Sequence, residues 1–139
     1  MSQENVEVVR RSFELWNEGD LAAFVALHHP DVVVVPPDNW PEGEVIRGRE
    51  AWLREDMRIK DSWESDRATV GHVHEAGSNV IIQLRWIAKG RDSGIEFETQ
   101  FWVVYTLSAG SITRVEYFLD RSRALEAAGL SEQDAHADS

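Results

Sequence analysis

Cysteine is absent from all 139 residues, which excludes disulfides and thiolate metal sites and fits a reducing cytoplasm. No apolar run reaches the roughly 18 residues of a membrane span, and the N-terminus lacks the pattern of a secretory signal. Positive charge is scarce: 14 Lys and Arg stand against 25 Asp and Glu, a net charge of −11. Such a field repels phosphate backbones and anionic lipid, so neither nucleic acid nor membrane is an expected partner. Arg10 and Arg11, like the group Arg47, Arg49, Arg54 and Arg58, alternate with acids on helices and form no basic patch. No phosphate-cradling glycine loop and no G-x-S-x-G elbow occurs. What is left is the composition of one soluble, cytoplasmic domain, residues 1–130, followed by a flexible polar tail over 131–139.

Periodicity supplies the elements. Val6, Val9, Phe13 and Trp16 recur at three- and four-residue steps and predict a helix over about 3–16, ended by Gly19. Asp20 offers a cap to a second helix whose Leu21, Phe24, Val25 and His28 share a face, with Pro30 as its stop. "DVVVV" follows as a short strand, and "PPDNWPEGEVIRG" reads as a loop. A third helix over about 49–62 places Trp52, Asp56, Ile59 and Trp63 on one side. From about Asp66 the period becomes two, predicting strands near 67–76, 79–89, 95–107 and 111–119, and a short helix near "RSRALEAAG" closes the fold with Gly129 as its C-cap. The class is α+β: a curved antiparallel sheet, three N-terminal helices across it, and a short C-terminal helix.

Alternation assigns the faces. Val80, Ile82, Leu84, Trp86 and Ala88 point one way with Phe97, Phe101, Val103, Tyr105 and Leu107, and with Val115, Tyr117 and Leu119. The other face mixes Ile81, Ile87, Trp102, Val104, Ile112 and Phe118 with charges. That density of apolar groups predicts a two-fold homodimer through the outer sheet face. The inward face of 67–76 stays open, because Val70, His72 and His74 compete with Thr69, Gly71 and Val73.

Three segments, "NEGDLAAFVALHHPDVVVV", "IRGREAWLR" and "SITRVEYFLDRSRALEAAGL", together resemble the SnoaL-like branch of the NTF2-like superfamily over about Glu4 to Leu130. That group includes ketosteroid isomerase, limonene-epoxide hydrolase, scytalone dehydratase and polyketide cyclases. The resemblance implies a cone, a bent sheet wrapping a pocket with helices over its mouth; it does not imply a reaction. Ketosteroid isomerase needs a carboxylate base, a tyrosine and a protonated carboxylic acid. The matching positions carry Ser12, Pro36 (with Asp38 two residues on) and Trp102 or Val103, so steroid isomerisation is not expected. The cyclases' aspartate corresponds to Asp120, but no histidine matches its partner in 95–107, nor do paired aspartates bridged by arginine match the hydrolase.

Three residues are candidates for chemistry. Asp120 is a carboxylate at the cone's end or the N-cap of the last helix. Asp38 is a base at the pocket mouth or a turn residue. His74, two residues from His72, is a general acid/base or an edge histidine, and neither this pair nor His28-His29 has a metal-ligand pattern. Six tryptophans are the most unusual feature. The expected pocket wall is Phe13, Trp16, Trp52, Leu84, Trp86, Phe101, Val103, Tyr117 and Leu119, with Trp40 as a gate between prolines. The expected ligand is a small, largely apolar organic molecule, handled without metal or cofactor. The alternatives are a binding module without chemistry, or a protein-partner domain with a filled core.

Overall fold

In the computed structural model, residues 2–38 and 43–130 are described. The expectations for Trp40 and for the tail over 131–139 lie outside these residues.

The first helix, α1 (Ser2–Glu18), buries Val9, Phe13 and Trp16 on one stripe and Leu15 beside it. It ends where Gly19 adopts φ of 80°, a conformation costly for a residue with a Cβ, and Asp20 N then donates back to Leu15 O. Asp20 Oδ1 accepts from Ala23 N at 3.2 Å and so caps α2 (Leu21–Ala26). Pro30 does not stop this helix, contrary to expectation. The helix has already ended at Ala26 with Leu27 as its C-cap, and Pro30 lies within β1 (His28–Val35), inside the irregular stretch between the paired residues His28 and Val33. An irregular stretch is where a strand tolerates a residue with no N–H to donate.

After β2 (Ile46–Arg47), helix α3 (Arg49–Ser62) starts behind Gly48 and buries Trp52 and Asp56. Then come β3 (Trp63–Ala76), β4 (Asn79–Gly90), β5 (Glu96–Ser108) and β6 (Ser111–Phe118), with α4 (Arg121–Ala127) last. β3 to β6 form the expected antiparallel meander, but β1 joins β6 in parallel, so the six-stranded sheet is mixed, in the order β2-β1-β6-β5-β4-β3, and is not closed. Helices α1 to α3 lie on its inner face, where one core runs from Val9 and Phe13 through Val32 and Val34 to Leu84, Trp86, Val103 and Val115.

Two bulges bend the strands and settle the faces. Val70 pairs with Leu84 but Val73 with Ile82, so Gly71 and His72 together oppose Gln83. Val70 and Val73 therefore both pack on the inner core, although an unbroken alternation allows only one of them to. His74 pairs with Ile81, a residue of the outer cluster, which puts the imidazole on the face away from the inner core. In β6 the extra residue is Thr113, since Thr106 pairs with Arg114 but Leu107 with Ile112. Ile112, expected on the outer face, is thereby turned into the inner core.

The outer face is less open than the alternation implied. Ala124 and Ala128, from α4 and its end, cover Ile81 and Val104, and Trp102, Phe118 and Leu130 pack beside them. With Ile112 inward as well, the apolar patch that motivated a dimer shrinks to the partly exposed Ile87, Trp102 and Phe118. Among the described residues no helix is long and apolar enough to cross a membrane.

Candidate functional site

Curvature leaves a cavity of about 750 Å³ between the inner sheet face and the helices, within the range that accommodates small organic ligands. Of the expected wall, Phe13, Trp16, Trp52, Leu84, Trp86, Phe101 and Tyr117 line it. Val103 is fully buried in the core and does not reach the void, whereas Leu119 is 47% exposed beyond the end of β6. Its strand has already ended, so the alternation that pointed it inward no longer applies. Phe24 and Tyr105 complete the aromatic wall. The exposed lining residues Glu44, Val45, Arg47, Arg54 and Arg58 mark the mouth, between β2 and α3.

The wall is built from rings in contact. Phe101 meets Tyr117 edge-on at 5.6 Å, Phe13 meets Tyr105 at 6.2 Å, and Trp16 meets Phe24 at 5.5 Å. Two wall tryptophans, Trp16 of α1 and Trp86 of β4, share one acceptor. Asp66 Oδ2 takes the indole N–H of Trp16 at 2.7 Å and that of Trp86 at 2.9 Å, while Oδ1 takes Lys60 Nζ at 2.9 Å. Lys60 also lies over the Trp16 ring, 4.2 Å from its centroid. One carboxylate therefore fixes the rotation of two wall indoles.

Asp56 is a different kind of carboxyl. It is 0% exposed, on the inner stripe of α3, one turn after Trp52 and one residue after Glu55, both of which line the cavity. Neither of its oxygens has a hydrogen-bond partner among the described residues, and the same is true of the Trp52 indole N–H. Burial, with the nearby Glu55 charge adding to it and Lys60 opposing, pushes its pKa up to about 9. Asp56 is thus a neutral carboxylic acid at pH 7, with a proton to donate. It stands close enough to Tyr105 and Tyr117 for its charge to act on both phenols, whose own ionisation is pushed up mainly by burial. His28, buried against Phe24 and Trp52, has its pKa lowered to about 4 by desolvation; its Nδ1 lies 3.0 Å from Phe24 O and donates to it. The imidazole is neutral and does not line the cavity.

None of the three residues first singled out for chemistry lines this space. Asp38 is exposed and ion-paired to Arg123 at 2.9 Å. His74 is on the outer sheet face. Asp120 accepts from Ser122 N at 2.8 Å and is the N-cap of α4. Asp120→Ala is accordingly expected to lower unfolding free energy by about 1 kcal/mol, the usual size of a lost cap, and to leave cavity binding unchanged; a denaturant titration measures the first, a ligand titration the second. Sequence reasoning had Asp56 on the correct stripe of α3 without asking why a carboxylate was there, and had Tyr105 on the rich face of β5.

The model of the SnoaL-like domain family matches residues 9–115. No curated protein matches the chain. Among solved structures, a protein described as a SnoaL-like polyketide cyclase from Jannaschia sp. CCS1 superposes with a TM-score of 0.73 at 20% identity, over 84% of this chain and 85% of that one. A protein with the ketosteroid isomerase-like fold from Catenulispora acidiphila DSM 44928, in complex with trimethylamine, gives 0.73 at 20% identity, over 89% and 93%. TerC, co-crystallised with polyporic acid, gives 0.74 at 19% identity, over 91% and 98%. Likeness at this identity establishes the fold alone.

Proposed function

The chain belongs to the SnoaL-like domain family, and from that premise we propose that its cavity takes up one small, largely apolar organic molecule carrying a carbonyl-type oxygen and acts on it by cofactor-independent acid/base chemistry. The observation that carries this reading is the group formed by Tyr105, Tyr117 and Asp56. All three keep their protons at neutral pH: the phenols because tyrosine ordinarily ionises only near 10 and is here pushed further up, Asp56 because burial raises its pKa to about 9. Two phenols at the cavity surface offer hydrogen-bond donors, and the neutral acid behind them, which does not itself line the cavity, adds no fixed negative charge. Such a group suits a ligand oxygen on which negative charge develops, as in an enolate, because the donors are already in place.

Turnover needs a proton acceptor as well. The carboxylates that line the cavity among the described residues are Glu44 and Glu55. Glu55, one residue before Asp56 and half-buried at the cavity wall, is the better placed of the two to accept a proton from a bound ligand. Isomerisation, cyclisation and dehydration all share this pairing of a base with an oxygen-directed acid. A second reading, binding without turnover, is favoured by Glu55 being held in an ion pair by Arg58.

Quenching of the wall tryptophans tests the reading. 9-Fluorenone is expected to bind more tightly than fluorene, the matched hydrocarbon, and Tyr117→Phe to reduce that preference about fivefold to tenfold, the loss of one buried hydrogen bond. Equal binding of ketone and hydrocarbon, or no binding of either, would sink the proposal.

A further inference from the structure

Resting on that reading of the cavity, we propose that the natural ligand is an organic acid, an apolar ring system whose single anionic group stays at the mouth between Arg47 and Arg54. The chain is short of positive charge, with 14 basic residues against 25 acidic ones, yet three arginines line this one opening. Arg47 comes from β2, and Arg54 and Arg58 are one turn apart on α3, so two separate elements deliver guanidinium groups to the same rim.

Their pairing differs. Arg58 is occupied by Glu55 through both its Nε and its NH2 group. Arg47 and Arg54 have no ion-pair partner among the described residues. Among the described residues Glu44 is the remaining carboxylate of the rim, so the described lining of the mouth carries three positive and two negative charges, against −11 for the whole chain. Local charge of that sign concentrates an anion which the rest of the surface repels.

Behind the rim the character changes within a few residues. Val45 and Ile46 precede Arg47, Ala51 lies three residues before Arg54, and the walls beyond are aromatic. A molecule that satisfies both regions is amphipathic, with a flat apolar body inside and a carboxylate or acidic enol outside. Guanidinium planes match such groups with paired hydrogen bonds. A neutral ligand leaves both arginines without use, and a ligand charged along its length does not enter the aromatic part.

A matched pair of probes decides the question. 2-Naphthoate and its methyl ester share one ring system and differ in charge, and tryptophan quenching reads both. The carboxylate is expected to bind about tenfold more tightly at low ionic strength, with the ratio falling to within about threefold in 0.5 M NaCl as the rim is screened. The Arg47→Gln/Arg54→Gln variant is expected to erase the ratio while binding the ester as the parent does. Both positions are exposed, so the variant keeps its fold, which circular dichroism checks. Equal affinity for the two probes in the parent overturns the acidic ligand and leaves the cavity reading intact. A ratio that survives the double substitution, or ester binding lost with it, removes the two arginines from the proposal. Failure of both probes to bind overturns the cavity reading itself.

Discussion

Replacing Asp56 with leucine is expected to make the protein more stable at neutral and alkaline pH while weakening its hold on a carbonyl ligand. Asp56 is a polar group sealed in an apolar surround with both oxygens unsatisfied among the described residues, an arrangement that costs free energy in the folded state. Its titration sets the pH dependence of that cost. An unfolded chain releases the Asp56 proton near the ordinary 3.8, whereas the fold retains it up to about 9. Between those values the unfolded state has lost a proton that the folded state still holds, so raising the pH favours unfolding, by about 1.4 kcal/mol per unit. At pH 7 the accumulated loss is on the order of 4 kcal/mol; below pH 3.8 it is absent, and above pH 9 it stops growing. Paired carboxylates elsewhere contribute in the opposite direction, so the quantity to measure is the difference between parent and variant. Chemical denaturation at pH 5 and pH 8 is expected to show the advantage of Asp56→Leu growing by about 4 kcal/mol across that interval. Asp56→Asn removes the titration but buries an amide, so it shares the change in pH dependence with a smaller gain at any one pH. A difference that stays constant from pH 5 to pH 8 in both variants defeats the assignment of Asp56 as a buried neutral acid. Fluorenone binding to the same two variants tests whether this cost is linked to the ligand.

How far the sequence anticipated this site depends on whether the signal is local. The stripe of Val6, Val9, Phe13 and Trp16, the stop at Gly19 and the cap at Asp20 each depend on neighbours within a turn, and α1 and α2 form as read up to Leu27. The alternation of β4 is unbroken, so Leu84 and Trp86 were placed on the cavity side without the structure. Bulges defeat that logic, because residue types carry on at period two while the backbone slips by one. Gly71–His72 and Thr113 are such places, and the faces of Val73, His74 and Ile112 follow from them. The cover over Ile81 and Val104 was equally unreadable, since nothing local says on which face a seven-residue helix docks. For the site, bulky apolar residues were found because size and burial go together. The polar candidates Asp38, His74 and Asp120 stand at loops, caps or the outer face, whereas the informative oddity is a carboxylate in the middle of an apolar stripe, four residues after Trp52 and three before Ile59. That oddity is visible in sequence; its phenolic neighbours, from strands far along the chain, are not.

Asp66 is the second residue whose replacement is expected to have a large effect, and here the sign is reversed. Its carboxylate, nearly buried at 6% exposure, is satisfied from three sides by Trp16, Trp86 and Lys60. Those partners lie 50, 20 and 6 residues away in the chain, so one side chain ties α1, β4 and the end of α3 to the start of β3. Asp66→Ala strands two indole N–H groups and leaves the Lys60 ammonium beside an emptied site. Removing one member of a buried charged group usually costs about 3–5 kcal/mol, and the partial exposure of Lys60 argues for the lower end, about 3 kcal/mol. Asp66→Asn retains one oxygen as acceptor for the indoles but turns an amide toward a lysine or an indole, so an intermediate loss is expected. Denaturant midpoints measure these losses. A second measurement separates loosening of the wall from a general fall in stability. Under native conditions, the tryptophan emission of Asp66→Ala is expected to move to longer wavelength and the affinity for fluorenone to fall, because Trp16 and Trp86 are no longer held in one rotamer against the cavity. Should the emission and the affinity remain those of the parent while the midpoint drops, Asp66 is a tie between elements and nothing more, and the ordering of the aromatic wall has to be credited to ring packing alone.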